Sequence, residues 1–162
     1  MQLPIVSVLI FLPMLGIVPL LFLDQKNDKV LKGYTLALSV VIFILSLRLW
    51  FGFNDGYGGM QFVERYDWLP QYGISYYVGL DGFSILLVML TTFLTPLCVL
   101  ATWEDVQFRV KEFMICLLFM MSGMIGVFAS LDLFLFYVFC ELQLIPMYLL
   151  IGVWGNPARR VY

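Results

Sequence analysis

Five stretches of this chain are each long enough and apolar enough to cross a lipid bilayer, and no other feature limits the fold as tightly. The hydrocarbon core of a bilayer takes roughly 20 residues of helix to span. The runs are Leu3 to Leu23, Gly33 to Phe53, Gly82 to Thr102, Phe113 to Leu131 and Leu133 to Trp154. Only Arg48 interrupts the second and only Glu141 the fifth. In hydrocarbon every backbone N–H and C=O must find its partner inside the protein, so such runs become helices. The composition agrees: 62% of residues are hydrophobic and 12% charged, where soluble domains carry about 25% charged residues. The expectation is an all-α, polytopic transmembrane bundle of five helices forming one membrane domain over residues 1–162.

The first run has no basic segment before it and no small-residue cleavage site after it, so it reads as a retained helix rather than a signal peptide. Lys26, Lys29, Lys32, Arg109, Lys111, Arg159 and Arg160 fall in connections on one side, seven of the nine basic residues. The other side holds Arg65 and collects Asp55, Glu64, Asp67, Asp81 and Asp132. By the positive-inside rule the basic side is cytoplasmic or its organellar equivalent. That places the N-terminus outside and the C-terminus inside, a parity that five helices satisfy.

The long outer loop, 54–81, is rich in Tyr, Trp and Gly, residues that favour the headgroup layer. Within it, Gln61–Trp68 and Ile74–Leu80 flank Pro70-Gln71-Tyr72-Gly73, a pattern that suits a β-hairpin on the membrane surface. Asp132 alone separates the last two runs. Asp132 and Asp81 read as N-caps of the fifth and third helices, in preference to direct proton carriers. Ser122, Gly126 and Ser130 repeat every four residues on the fourth helix, which permits close helix approach. Helices four and five should therefore lie side by side.

The chain contains no His, which excludes His-held haem and most zinc or copper sites. Cys98, Cys116 and Cys140 lie in apolar runs without a C-x-x-C spacing and read as small buried hydrophobes. The Lys-rich stretch Asp24 to Lys32 is mixed in sign and reads as a solvated loop with basic anchors, not a nucleic-acid patch. Arg48, near the outer end of its helix, reads as snorkelling to the interface.

Glu141 is the residue that stands out. A charge near the bilayer centre costs at least about 3 kcal/mol, so such residues face a bundle interior or a wet cavity. Low dielectric favours the neutral form of a carboxyl and a nearby ammonium favours the charged form, so a mid-membrane carboxyl can take up and release a proton. The competing reading is a structural carboxyl bonded to a neighbouring helix. Pro146, five residues on, has no N–H and frees the carbonyl of Leu142 beside the carboxyl. Pro96 frees the carbonyl of Thr92 in the same way, with Thr91, Thr92 and Thr95 near enough to satisfy the backbone, and reads as packing.

The segment Val78-Gly-Leu-Asp-Gly-Phe-Ser84, with Leu90-Thr-Thr-Phe-Leu94, resembles the start of the third helix in antiporter-like proton-pumping subunits. The segment Leu131-Asp-Leu-Phe-Leu-Phe-Tyr-Val-Phe-Cys-Glu141, continuing through Leu144-Ile-Pro-Met-Tyr-Leu-Leu-Ile-Gly-Val-Trp-Gly155, resembles the subunit M type of respiratory complex I, called chain 4 in mitochondria. The resemblance is weak before Trp68 and strong after it. It implies that Glu141 is a proton-relay carboxyl paired with a lysine two helices later. It implies a proton path coupled to NADH:quinone electron transfer, with flavin, iron–sulfur clusters and quinone on other subunits and no cofactor on this chain. It also implies neighbouring antiporter-like subunits as partners and an energy-coupling membrane, the bacterial cytoplasmic membrane or alternatively the mitochondrial inner membrane.

This sequence departs from the family in two ways. Cys140 stands where the family usually has Trp. The family also carries many more helices, arranged in inverted repeats, and the partner lysines lie on them. The expectation is therefore a fragment, or one half of a split subunit completed by a second polypeptide. Two rival readings accompany this one: a subunit of a multisubunit sodium/proton antiporter or membrane-bound hydrogenase, and a non-catalytic membrane scaffold.

Overall fold

A computed structural model describes residues 4–25, 27–54 and 56–155. The expectations for Leu3, Lys26, Asp55, Arg159 and Arg160 lie outside the described residues. The elements run α1 (Ile5–Phe22), α2 (Asp28–Gly52), β1 (Gln61–Leu69), a short 3-10 turn (Pro70–Tyr72), β2 (Ile74–Leu80), α3 (Gly82–Ala101), α4 (Val110–Ala129) and α5 (Leu133–Trp154). All five α-helices are long and apolar enough to cross a membrane. Their outward faces are as apolar as their inward ones: Phe22, Phe51 and Leu133 are more than four-fifths exposed. That arrangement suits a lipid solvent.

α4 is the hub. It touches the other four helices and β2, and twelve of its residues are buried, against three in α5. Two glycines let α5 come close. A β-carbon on Gly126 would lie 2.5 Å from the ring of Phe139, and one on Gly123 would lie 3.0 Å from Gln143. The small residues spaced by four thus serve different neighbours. Gly126 receives α5, whereas the Ser122 hydroxyl donates to the Ile10 carbonyl of α1.

The loop expected to form a hairpin does so, with β1 and β2 antiparallel in the register Glu64↔Val78 and Tyr66↔Tyr76. Pro70 presets the turn and Gly73 accepts its left-handed backbone, φ 68°. The free edge of β2 is covered by the α4–α5 turn: Leu131 N donates to Tyr77 O at 2.9 Å and Ser75 N to Asp132 Oδ2 at 3.2 Å. That edge is therefore closed to other strands.

Several boundaries differ from the apolar runs, α4 for instance starting at Val110 rather than Phe113, and two of the differences have a clear cause. α4 stops at Ala129 because Ser130 and Leu131 turn aside to pair with β2. α2 starts at Asp28, five residues before Gly33, with an acid in its first turn to complement the helix dipole. The stretch ending at Lys32 is therefore only in part a solvated loop. Lys32 is 5% exposed, and its ammonium donates to Trp103 O and Val106 O, both at 2.7 Å. A buried ammonium is tolerated when carbonyls take its protons, and these two belong to the turn after α3.

Candidate functional site

α5 is held at both ends. At its start Asp132 Oδ1 accepts from Phe134 N at 2.9 Å and Leu135 N at 3.2 Å. At its finish Trp154 Nε1 donates to Phe108 O at 2.8 Å, and the Trp154 ring stands edge-on to Phe113. Between the ends the helix packs on α4, with Phe139 against Gly126 and Gln143 against Gly123; its buried residues are Leu135, Phe139 and Pro146.

Glu141 follows Phe139 by two positions, about 200° round the helix. It therefore projects from the face opposite the packing stripe and is exposed. Eight residues in from Leu133, it lies about 12 Å along the helix axis, well inside the apolar span. Among the described helices it faces none, because α5 is an edge helix. The open face carries Tyr137, which interacts with the carboxylate, and Leu144, Ile145 and Tyr148. Cys140 is half-buried. Arg48 is exposed on α2, as a snorkelling side chain requires. The Thr hydroxyls near Pro96 bond the carbonyls of Leu87, Met89 and Thr91. Those bonds leave the Thr92 carbonyl, which Pro96 frees, to other groups.

The charged groups at the helix ends form a regular scheme. On the hairpin side, the starts of α1, α3 and α5 each meet a carboxylate. Asp81 Oδ1 accepts from Ser84 N at 2.6 Å, and that bond holds its carboxyl below the usual range. The Asp132 carboxyl is lowered too, first by the Ser75 N–H and then by those of Leu135 and Phe134. For α1 the carboxylate comes from β1. Glu64 accepts from Val6 N at 2.9 Å, from Ser7 N at 3.2 Å and from the Ser7 hydroxyl. Tyr76 Oη lies 2.8 Å from the same hydroxyl, and burial pushes its phenol up. On the opposite side, Lys111 Nζ donates to Leu21 O at 2.6 Å and Leu23 O at 3.0 Å, closing the end of α1, as Lys32 closes the turn after α3.

Glu64, Lys32 and Lys111 were not legible as caps. Each acts on a helix end or turn at least 57 residues away. The one local hint is that α1 begins after Pro4 with no capping side chain of its own.

Comparison with known proteins places this geometry. The family described as NADH-ubiquinone oxidoreductase chain 4, amino terminus, matches residues 8–127. NADH-ubiquinone oxidoreductase chain 4 of Marchantia polymorpha is 43% identical over 155 residues, which cover 96% of this chain and 31% of that protein. The Arabidopsis thaliana chain 4 is likewise 43% identical with the same coverage. NADH-quinone oxidoreductase subunit M of Rickettsia conorii is 43% identical over 164 residues, covering 98% of this chain and 33% of that protein. The chain spans about a third of the length of the curated relatives it matches. With a family match over most of its length and relatives 43% identical across nearly all of it, the chain belongs to the NADH-ubiquinone oxidoreductase chain 4 (subunit M) family.

Proposed function

We propose that this chain forms part of the membrane arm of a proton-translocating NADH:quinone oxidoreductase, and that Glu141 relays protons within it. The observation that carries the reading is the placement of Glu141: mid-span, exposed, and on the face of α5 opposite its packing stripe. A carboxylate cannot face hydrocarbon there without a cost of about 3 kcal/mol or more. The face therefore calls for a polar partner from beyond these five helices. The relatives are about three times as long, and the family resemblance implies a lysine on a later helix. An ammonium approaching the carboxylate favours its charged form and one withdrawing favours proton uptake, so the pair can load and unload a proton. The carbonyl freed by Pro146 supplies an acceptor for water next to it.

The electron carriers belong to other subunits in this reading, and this chain supplies no redox group. The hairpin side faces outward and the lysine side inward, in a bacterial cytoplasmic membrane or, alternatively, a mitochondrial inner membrane. Glu141→Gln tests the relay. In the assembled complex it should lower proton pumping and coupled turnover while assembly stays intact. Normal pumping in that variant would remove Glu141 from the path.

A further inference from the structure

α5 is held at its ends and along α4, but its flank toward α1 has next to no direct helix contact. It packs on α4 along one stripe, and a groove of about 340 Å³ separates it from α1, lined by Phe11 and Met14 on one wall and by Leu135, Val138, Phe139 and Leu142 on the other. The hairpin roofs this groove with Trp68 and Tyr76. It also joins the two walls. β2 is bonded to the start of α5 through Tyr77 O and Ser75 N, and β1 is bonded to the start of α1 through Glu64.

The α1 anchor is directional. The carboxylate takes two first-turn N–H groups and a hydroxyl, which specifies both distance and angle, and charge-assisted bonds of this kind are the stronger ones. Val78 and Leu80 also bury β2 in the core, but apolar burial is non-directional and sets no angle between α1 and α5.

We propose that Glu64 is a positioning residue: through the hairpin it sets the separation of α5 from α1, and thereby where Glu141 stands relative to its partner. This inference rests on the relay reading of Glu141. A change in the Glu141-to-partner distance alters how strongly the partner's charge favours the ionised carboxyl, so a displaced α5 moves the pH dependence of pumping as well as its rate.

The test uses the assembled membrane complex carrying the full-length subunit. Single cysteines replace Leu15 and Leu144 on a background lacking the native cysteines, and the spin-label distance between them reports the α1–α5 separation. Glu64→Ala should lengthen or broaden that distance, lower pumping several-fold and displace the acid limb of the pH profile. Glu64→Gln, whose amide oxygen still accepts, should fall between it and the wild type. An unchanged distance in Glu64→Ala overturns the proposal. So does a changed distance with an unaltered pH profile. If Glu64→Ala fails to assemble, Glu64→Gln and Ser7→Ala carry the test, and an unaltered distance and profile in both overturn the proposal equally. Glu141→Gln is run alongside: normal pumping in that variant defeats the relay reading, while the distance measurement still decides whether Glu64 sets the position of α5.

Discussion

Asp132 serves two masters, and its chemistry shows what a single carboxylate does at a helix start. One oxygen caps α5 and the other holds Ser75 of the hairpin. Its folded pKa is depressed below the ordinary 3.8. A depressed carboxyl adds stability above its unfolded pKa, and that contribution disappears as pH falls through the folded value. Thermal unfolding in detergent should therefore be insensitive to this group at neutral pH and lose its contribution below about pH 4. Asp132→Ala should cost about 1 kcal/mol, the usual price of an N-cap, and should flatten that acid limb. Lys32 gives a second residue-scale prediction. Lys32→Met keeps the stem but leaves the buried Val106 carbonyl and the half-buried Trp103 carbonyl without this partner, so it should destabilise by about 1–3 kcal/mol in the same measurement.

At the scale of elements, hydropathy marks where the membrane core lies, not where a helix begins. Gly33 opens the second apolar run, yet α2 starts a turn earlier because Asp28 suits the first turn of a helix. The hairpin was legible because Pro70 and Gly73 announce a turn between two strand-like segments. The closeness of α4 and α5 was legible in part. Gly126 was visible in the stripe of small residues, whereas Gly123, which also faces α5, lay off it. The outward aim of Glu141 follows from its offset from Phe139, but only once α5 is known to be an edge helix, which depends on packing partners that periodicity does not reveal. Gly126→Ala puts a methyl into the Phe139 ring and should cost about 1–3 kcal/mol by overpacking. Gly33→Ala meets nothing within 4 Å and should instead stabilise α2 by up to about 1 kcal/mol. Comparing the two by thermal melt separates contact from helix propensity.

For the whole molecule, the asymmetry of charge has two physical sources. The positive-inside rule is one. The other is the alternation of helix direction: α1, α3 and α5 all start on the hairpin side, so acids gather there and lysines collect where α1 and α3 end. Lys32 and Lys111 are committed to carbonyls, so part of the basic excess is structural. The dipole source sets no direction across the membrane, so the proposed orientation rests on the positive-inside rule alone. A cysteine replacing exposed Gln71 in the hairpin turn should react with a membrane-impermeant maleimide added outside intact cells or to right-side-out vesicles. Labelling only from the inner face would reverse the topology.

The long-range caps also carry a meaning in time. A ribosome delivers α1 before α2 to α5, yet the carboxylate that closes its start arrives with residue 64 and the ammonium that closes its end arrives with residue 111. Until both have been made, the first helix enters the membrane with its terminal backbone groups dependent on water or lipid headgroups. The turn after α3, by contrast, emerges with Lys32 already waiting for it. Biogenesis of these helices is thus in part a sequence of deferred closures, in which α1 is not finished until α4 has begun to emerge.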